Sequence, residues 1–123
     1  MTEIFWNPLR VKVLKAWKVM YSDPITVEPG DIVTVGFQDP EWPGWQWCTD
    51  DRGKSGWVPI SYIEPGENGT GVIKLQFTAR ELEIAPDEEL KVHKMESGWY
   101  WASDQSGREG WIPATHTQII QES

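Results

Sequence analysis

Two four-residue motifs recur in this chain at one interval. Gly44-Trp45-Gln46-Trp47 returns 54 residues later as Gly98-Trp99-Tyr100-Trp101, and Gly56-Trp57-Val58-Pro59 returns at the same interval as Gly110-Trp111-Ile112-Pro113. Asp50 and Gly53 come back with them as Asp104 and Gly107. Self-similarity at a fixed spacing is the mark of a duplicated structural unit, and it constrains the fold more than any single segment does. Upstream the interval lengthens to 57, where Pro29, Val33 and Val35 answer to Pro86, Leu90 and Val92. The first copy therefore has the longer loop before its Gly-Trp, around Asp39-Pro40-Glu41-Trp42-Pro43. Copies of about 55 residues sit near the lower size limit for a one-core domain. The 9 Trp of the chain supply large side chains to fill such cores. Between the copies runs Glu64-Pro65-Gly66-Glu67-Asn68-Gly69-Thr70-Gly71, which has no large apolar residue and reads as a linker. The expected organisation is an N-terminal extension at 1–10, a first domain at 11–64, a linker at 65–71 and a second domain at 72–121.

Each copy reads as strands throughout. Ile32-Val33-Thr34-Val35 is β-branched and bounded by turns, with Val33 and Val35 on one face. Trp45–Thr49 follows as a strand, Asp50-Asp51-Arg52-Gly53 as a hairpin turn, and Trp57-Val58 as the return strand that Pro59 ends. The second copy repeats this order with Leu90–Lys94, Trp99–Ser103, Asp104–Gly107 and Trp111-Ile112. No segment carries a helical period. Alternation places Val33, Val35, Cys48, Val58 and Ile63 in the first core, and Leu90, Val92, Ala102 and Ile112 in the second.

Composition narrows the class of partner. With 19 acidic against 11 basic residues the net charge is -8. The chain lacks the basic footprint that nucleic acid or an anionic membrane requires, so neither is an expected partner. A single cysteine, Cys48, leaves no internal disulfide and no multi-cysteine metal site. No nucleophile elbow, phosphate loop or HExxH run is present, so the expectation is a non-enzyme without cofactor. Ile4-Phe5-Trp6 is too short for a signal segment, and no apolar run approaches ~18 residues, which makes the cytoplasm the expected compartment.

These motifs resemble the Src homology 3 (SH3) family in a divergent form. Ile25-Thr26-Val27-Glu28-Pro29-Gly30-Asp31 is similar to the family's Leu-x-Phe-x-x-Gly-Asp. Gly44-Trp45 is similar to its Gly-Trp-Trp, and Gly56–Ile63 to its closing Gly-φ-φ-Pro-Ser-Asn-Tyr-Val. The departure is the opening Ala-Leu-Tyr-Asp-Tyr, which here is Val13-Leu14-Lys15-Ala16-Trp17. The second copy keeps Gly98-Trp99, Gly110-Trp111 and Pro113, but places His116 where the first has Tyr62. The resemblance implies an all-β fold of two tandem five-stranded SH3-like barrels, with the better-kept peptide groove in the first.

That resemblance implies a non-catalytic interaction module whose partner is a protein or linear peptide, Pro-rich and basic. A polyproline II segment has three residues per turn and no internal hydrogen bonds, so its receptor needs parallel aromatic walls. Trp17, Trp45, Pro59 and Tyr62 would supply them, while Asp23, Asp39 and Glu41 fall in the flanking loops and would read a basic ligand residue. Lys15 replaces an aromatic wall and works against a basic ligand. The alternative is a structural role, in which the Trp-rich faces pack between domains or on a permanent partner. Asp50 and Asp104 are expected to serve their hairpin turns, and Cys48 to be a buried, inert thiol.

Overall fold

Every regular segment is extended, as β-branched runs punctuated by Gly and Pro require. The computed structural model describes residues 2–19 and 23–120, so the ends of the outer expected segments, Met1 and Gln121, lie outside it. In chain order the strands are β1 (Thr2–Val13), β2 (Thr26–Val27), β3 (Ile32–Gln38), β4 (Trp45–Thr49), β5 (Ser55–Pro59), β6 (Ile63–Pro65), β7 (Thr70–Ile73), β8 (Phe77–Thr78), β9 (Glu89–Glu96), β10 (Trp99–Ser103), β11 (Glu109–Pro113) and β12 (Thr117–Ile119). One turn of 3-10 helix follows each repeated proline, at Ile60–Tyr62 and Ala114–His116. The described residues contain no α-helix, and the fold class is all-β.

The chain divides into two compact units: an inserted unit, Ser22–Arg80, and a split unit made of Met1–Tyr21 and Glu81–Ser123. The inserted unit holds a five-stranded antiparallel sheet in the order β5-β4-β3-β7-β6 and the short pair β2-β8. Its core is Ile25, Val27, Val33, Cys48, Val58, Ile63, Ile73 and Phe77. The split unit holds a sheet in the order β11-β10-β9-β1-β12. Its core is Val11, Val13, Leu82, Ile84, Leu90, Val92, Tyr100, Ala102 and Ile112. The nine core positions expected from alternation are buried except Val35, which is half-buried where β3 bulges against β4 between Val35 and Gln38.

The units do not follow the boundaries 11–64 and 72–121. β1 belongs to the sheet of the second copy, pairing Val11 with both Leu90 and Ile119. β7 belongs to the sheet of the first, pairing Val33 with Gly71 and Ile63 with Ile73. The reason lies in the segment expected to be a linker. Asn68 and Gly69 take the left-handed region at φ 56 and 74, and Thr70 N donates to Glu67 O at 3.2 Å. This is the two-residue mirror-image turn whose twist suits a hairpin. It lays β7 straight back onto β6, so the edge that β1 would have taken in the first copy is already filled.

Residues 2–10 of the expected extension are part of β1. Thr2–Ile4 pairs with Lys94–Glu96 and Leu9–Lys12 with Glu89–Val92, with an irregularity between Ile4 and Leu9. Pro8, which has no N–H, sits in that interruption. Phe5 packs on the split unit's core, whereas Trp6 is 93% exposed.

Candidate functional site

An aromatic set forms at the same place in each unit, because strand pairing brings the same three parts together. In the inserted unit β4 and β5 set Trp45 opposite Pro59. The chain then turns after Pro59, with Ile60 N donating to Gly44 O at 2.8 Å, and this places Tyr62 beside them. The third ring is Phe77 on β8, held because β8 pairs with β2 (Val27 opposite Phe77). Phe77 lies 6.0 Å from Trp45 and edge-on to Tyr62 at 5.7 Å. All three rings are closed off: Trp45, Tyr62 and Phe77 are each 4% exposed, and Pro59 is buried.

The split unit repeats the plan with other residues. Trp99 stands opposite Pro113, and Ala114 N donates to Gly98 O at 3.0 Å. The third ring is Trp17, fixed by two backbone hydrogen bonds with Ile84 at 3.1 and 3.0 Å. Trp17 meets Trp99 edge-on at 5.3 Å and His116 edge-on at 5.5 Å. Its Nε1–H donates to Glu81 Oε1 at 3.1 Å. Trp17, Trp99 and His116 are all half-buried, so this set keeps surface that the other has lost.

The seven residues expected to form one groove are thus distributed. Trp45, Pro59 and Tyr62 do come together, but as interior packing rather than an open wall. Trp17 belongs to the split unit, and its equivalent in the inserted unit is Phe77, one interval of 60 residues on, because β1 and β7 have exchanged places. Asp23 Oδ1 holds Lys54 Nζ at 2.9 Å. Asp39 is committed to its own turn, where Oδ1 accepts from Glu41 N at 2.8 Å and Trp42 N at 3.1 Å. Glu41 is exposed. Lys15 belongs to the split unit, not to the inserted unit whose groove it was expected to weaken. Sequence reasoning missed Phe77 and Glu81. The signal for Phe77 was a lone aromatic followed by Thr in an otherwise polar stretch, four residues after Ile73 just as Trp17 follows Val13.

In both sheets a cross-strand tryptophan pair recurs in register, Trp47 opposite Trp57 and Trp101 opposite the buried Trp111. The rings meet edge-on at 5.0 Å and 5.4 Å. In the inserted unit Phe37 lies beside the pair, 6.0 Å from Trp47 and 5.3 Å from Trp57. In the split unit the corresponding residue is Lys94, whose ammonium lies 5.5 and 5.6 Å from the two ring centroids. Burial lowers the Lys94 pKa, opposed by the charges of Glu109 and Glu96. No group of three or more His, Cys, Asp or Glu suited to a metal ion occurs among the described residues.

Residues 10–66 match the family model described as a variant SH3 domain. The chain is also similar to mouse intersectin-1, with 35% identity over 47% of this chain. It spans only 4% of the length of that protein.

Proposed function

We propose that this chain docks a linear, Pro-rich segment of a partner protein on the split unit, a reading supported by the match of residues 10–66 to the variant SH3 domain model, whose members are in general protein-interaction modules. The receptor surface is Trp17, Trp99 and His116, set over the buried Pro113. The observation that carries this is the difference in exposure: these three rings are half-buried, whereas Trp45, Tyr62 and Phe77 are each 4% exposed. A preformed polyproline II ligand needs ridges to fall between aromatic walls, and rings packed shut offer none. Trp45 and Tyr62 serve instead to fill the inserted unit, which takes the structural part of the work.

The charge around the open set is mixed. Lys15 and Lys18 precede the inserted unit in the sequence, and Glu81 and Glu83 follow it. Glu81 is already engaged by the Trp17 indole. A strong demand for a basic ligand residue is therefore not built in, and peptides with and without Arg should bind within a few-fold of one another. With one small groove the affinity is on the order of micromolar or weaker, about -8 kcal/mol or less in magnitude.

Calorimetric titration of a panel of Pro-rich peptides tests the reading. Trp99→Ala should remove measurable binding, since a central aromatic anchor commonly contributes more than ~2 kcal/mol. Glu41→Ala should leave affinity unchanged. Binding that survives Trp99→Ala and fails with Glu41→Ala would move the site to the inserted unit.

A further inference from the structure

Each sheet is closed by an opening segment from the other half of the sequence, and the two versions of that segment are not interchangeable. We infer that the side chains encode this exchange, so that the chain is specified as one barrel inserted into the first loop of another and not as two self-closed repeats. Equivalent positions follow from the pairings: β1 residues Val11, Val13 and Trp17 correspond to Gly71, Ile73 and Phe77. Thr117, Val92 and Glu81 correspond to Ile63, Val35 and Pro24.

The first discriminating place is the crossing of the opening strand over the closing one. A Cβ at Gly71 would run into the Ile63 side chain and stand 3.2 Å from Val35 Cγ2. The inserted unit therefore accepts only glycine there. In the split unit the opening strand brings Val11, fully buried, to a closing strand that carries the smaller Thr117. Self-closed repeats would set Val11 against Ile63 and Val35, which overpacks one core. They would also set Gly71 against Thr117 and Val92, which leaves a hole in the other.

The second place is the aromatic set. Trp17 donates its indole N–H to Glu81 at 3.1 Å. In a self-closed first repeat that position is Pro24, whose side chain accepts no hydrogen bond, while Phe77 would arrive at Glu81 with nothing to donate. The third is the strand edge. Arg10 holds Glu89 at 2.7 Å and Lys12 holds Asp87 at 3.5 Å. Self-closure would set these bases against Ile32 and Gly30. Such exposed pairs add little stability, but all three places point to the same connectivity. One consequence follows for the open aromatic set: Trp17 comes from one half of the sequence and Trp99 and His116 from the other, so neither half presents it alone.

Two measurements on the full chain test the inference. Inter-strand nuclear Overhauser contacts should link Val11–Val13 to Thr117–Ile119, and Gly71–Ile73 to Ile63–Pro65. Contacts linking Val11–Val13 to Ile63–Pro65 would overturn the exchange. The encoding is tested by Gly71→Val. Because its Cβ meets the Ile63 Cγ2 methyl, the substitution should lower Tm by about 5 °C or more, and it should cost less in an Ile63→Ala background, which lacks that methyl, than in the parent chain. A Gly71→Val chain as stable as the parent, or more stable, would overturn the encoding. So would a loss as large in the Ile63→Ala background as in the parent chain.

Discussion

Cys48 shows how one position ties sequence to chemistry. It lies fully buried on β4, and burial pushes its thiol pKa up to about 11. The thiolate is the reactive form, so Cys48 should resist thiol reagents in the native protein and react only on unfolding. Rapid native modification, followed by mass spectrometry, would contradict this. Cys48→Asp should abolish folding of the inserted unit, because an unpaired buried carboxylate costs several kcal/mol. Lys94 was not foreseen as more than a strand residue. Its role depends on Trp101 and Trp111 lying in register across two strands, which a one-dimensional pattern hides. Lys94→Glu should destabilise by about 1–3 kcal/mol, since it removes a cation–π contact and adds a carboxylate to Glu96 and Glu109. Lys94→Phe, which copies the arrangement at Phe37, should cost less than ~1 kcal/mol, and denaturant melts distinguish the two. Trp45 was legible as an aromatic at the start of a strand, but its closure by Phe77 was not, because that contact spans more than thirty residues and a crossing between copies.

At the scale of the element, the hairpin turns were the most legible parts. Asp50 Oδ1 accepts from the backbone N–H of Arg52 and Lys54, each at 2.9 Å. Asp104 Oδ1 does the same with Ser106 at 2.9 Å and Arg108 at 3.0 Å. Burial works to raise both carboxyl pKa values, but these backbone bonds and the neighbouring Arg52 and Arg108 guanidinium groups outweigh it and hold them below the ordinary value. A depressed folded pKa means that stability is fully present above the ordinary carboxylate range and is lost as pH falls through the folded value. Thermal melts should therefore weaken below about pH 4, and the Asp50→Asn, Asp104→Asn double variant should flatten that dependence. An unchanged acid limb would contradict this. In the segment 65–71 the Gly and Pro content points to a linker and masks the Asn68-Gly69 dipeptide, which is itself a strong hairpin signal. Gly69→Ala should cost about 1–2 kcal/mol through its left-handed φ alone.

For the whole molecule, the duplication and the all-β fold were legible because Gly-Trp and Gly-Trp-φ-Pro recur at one spacing. The division into units was not. Val11-Lys12-Val13 and Gly71-Val72-Ile73 carry the same strand pattern, so periodicity cannot say which sheet receives which. The choice rests on volumes, glycine against isoleucine and valine against threonine, that become visible only when the strands are paired. The same exchange moved Trp17 from the closed aromatic set to the open one, and with it the proposed recognition surface. The most direct test of that surface follows the indole N–H resonances of Trp17, Trp99 and Trp45 in a ¹⁵N-labelled chain as a Pro-rich peptide is added. Shifts at Trp17 and Trp99 that saturate while Trp45 stays in place are the predicted result. Saturating shifts at Trp45 with Trp17 and Trp99 unmoved would contradict it.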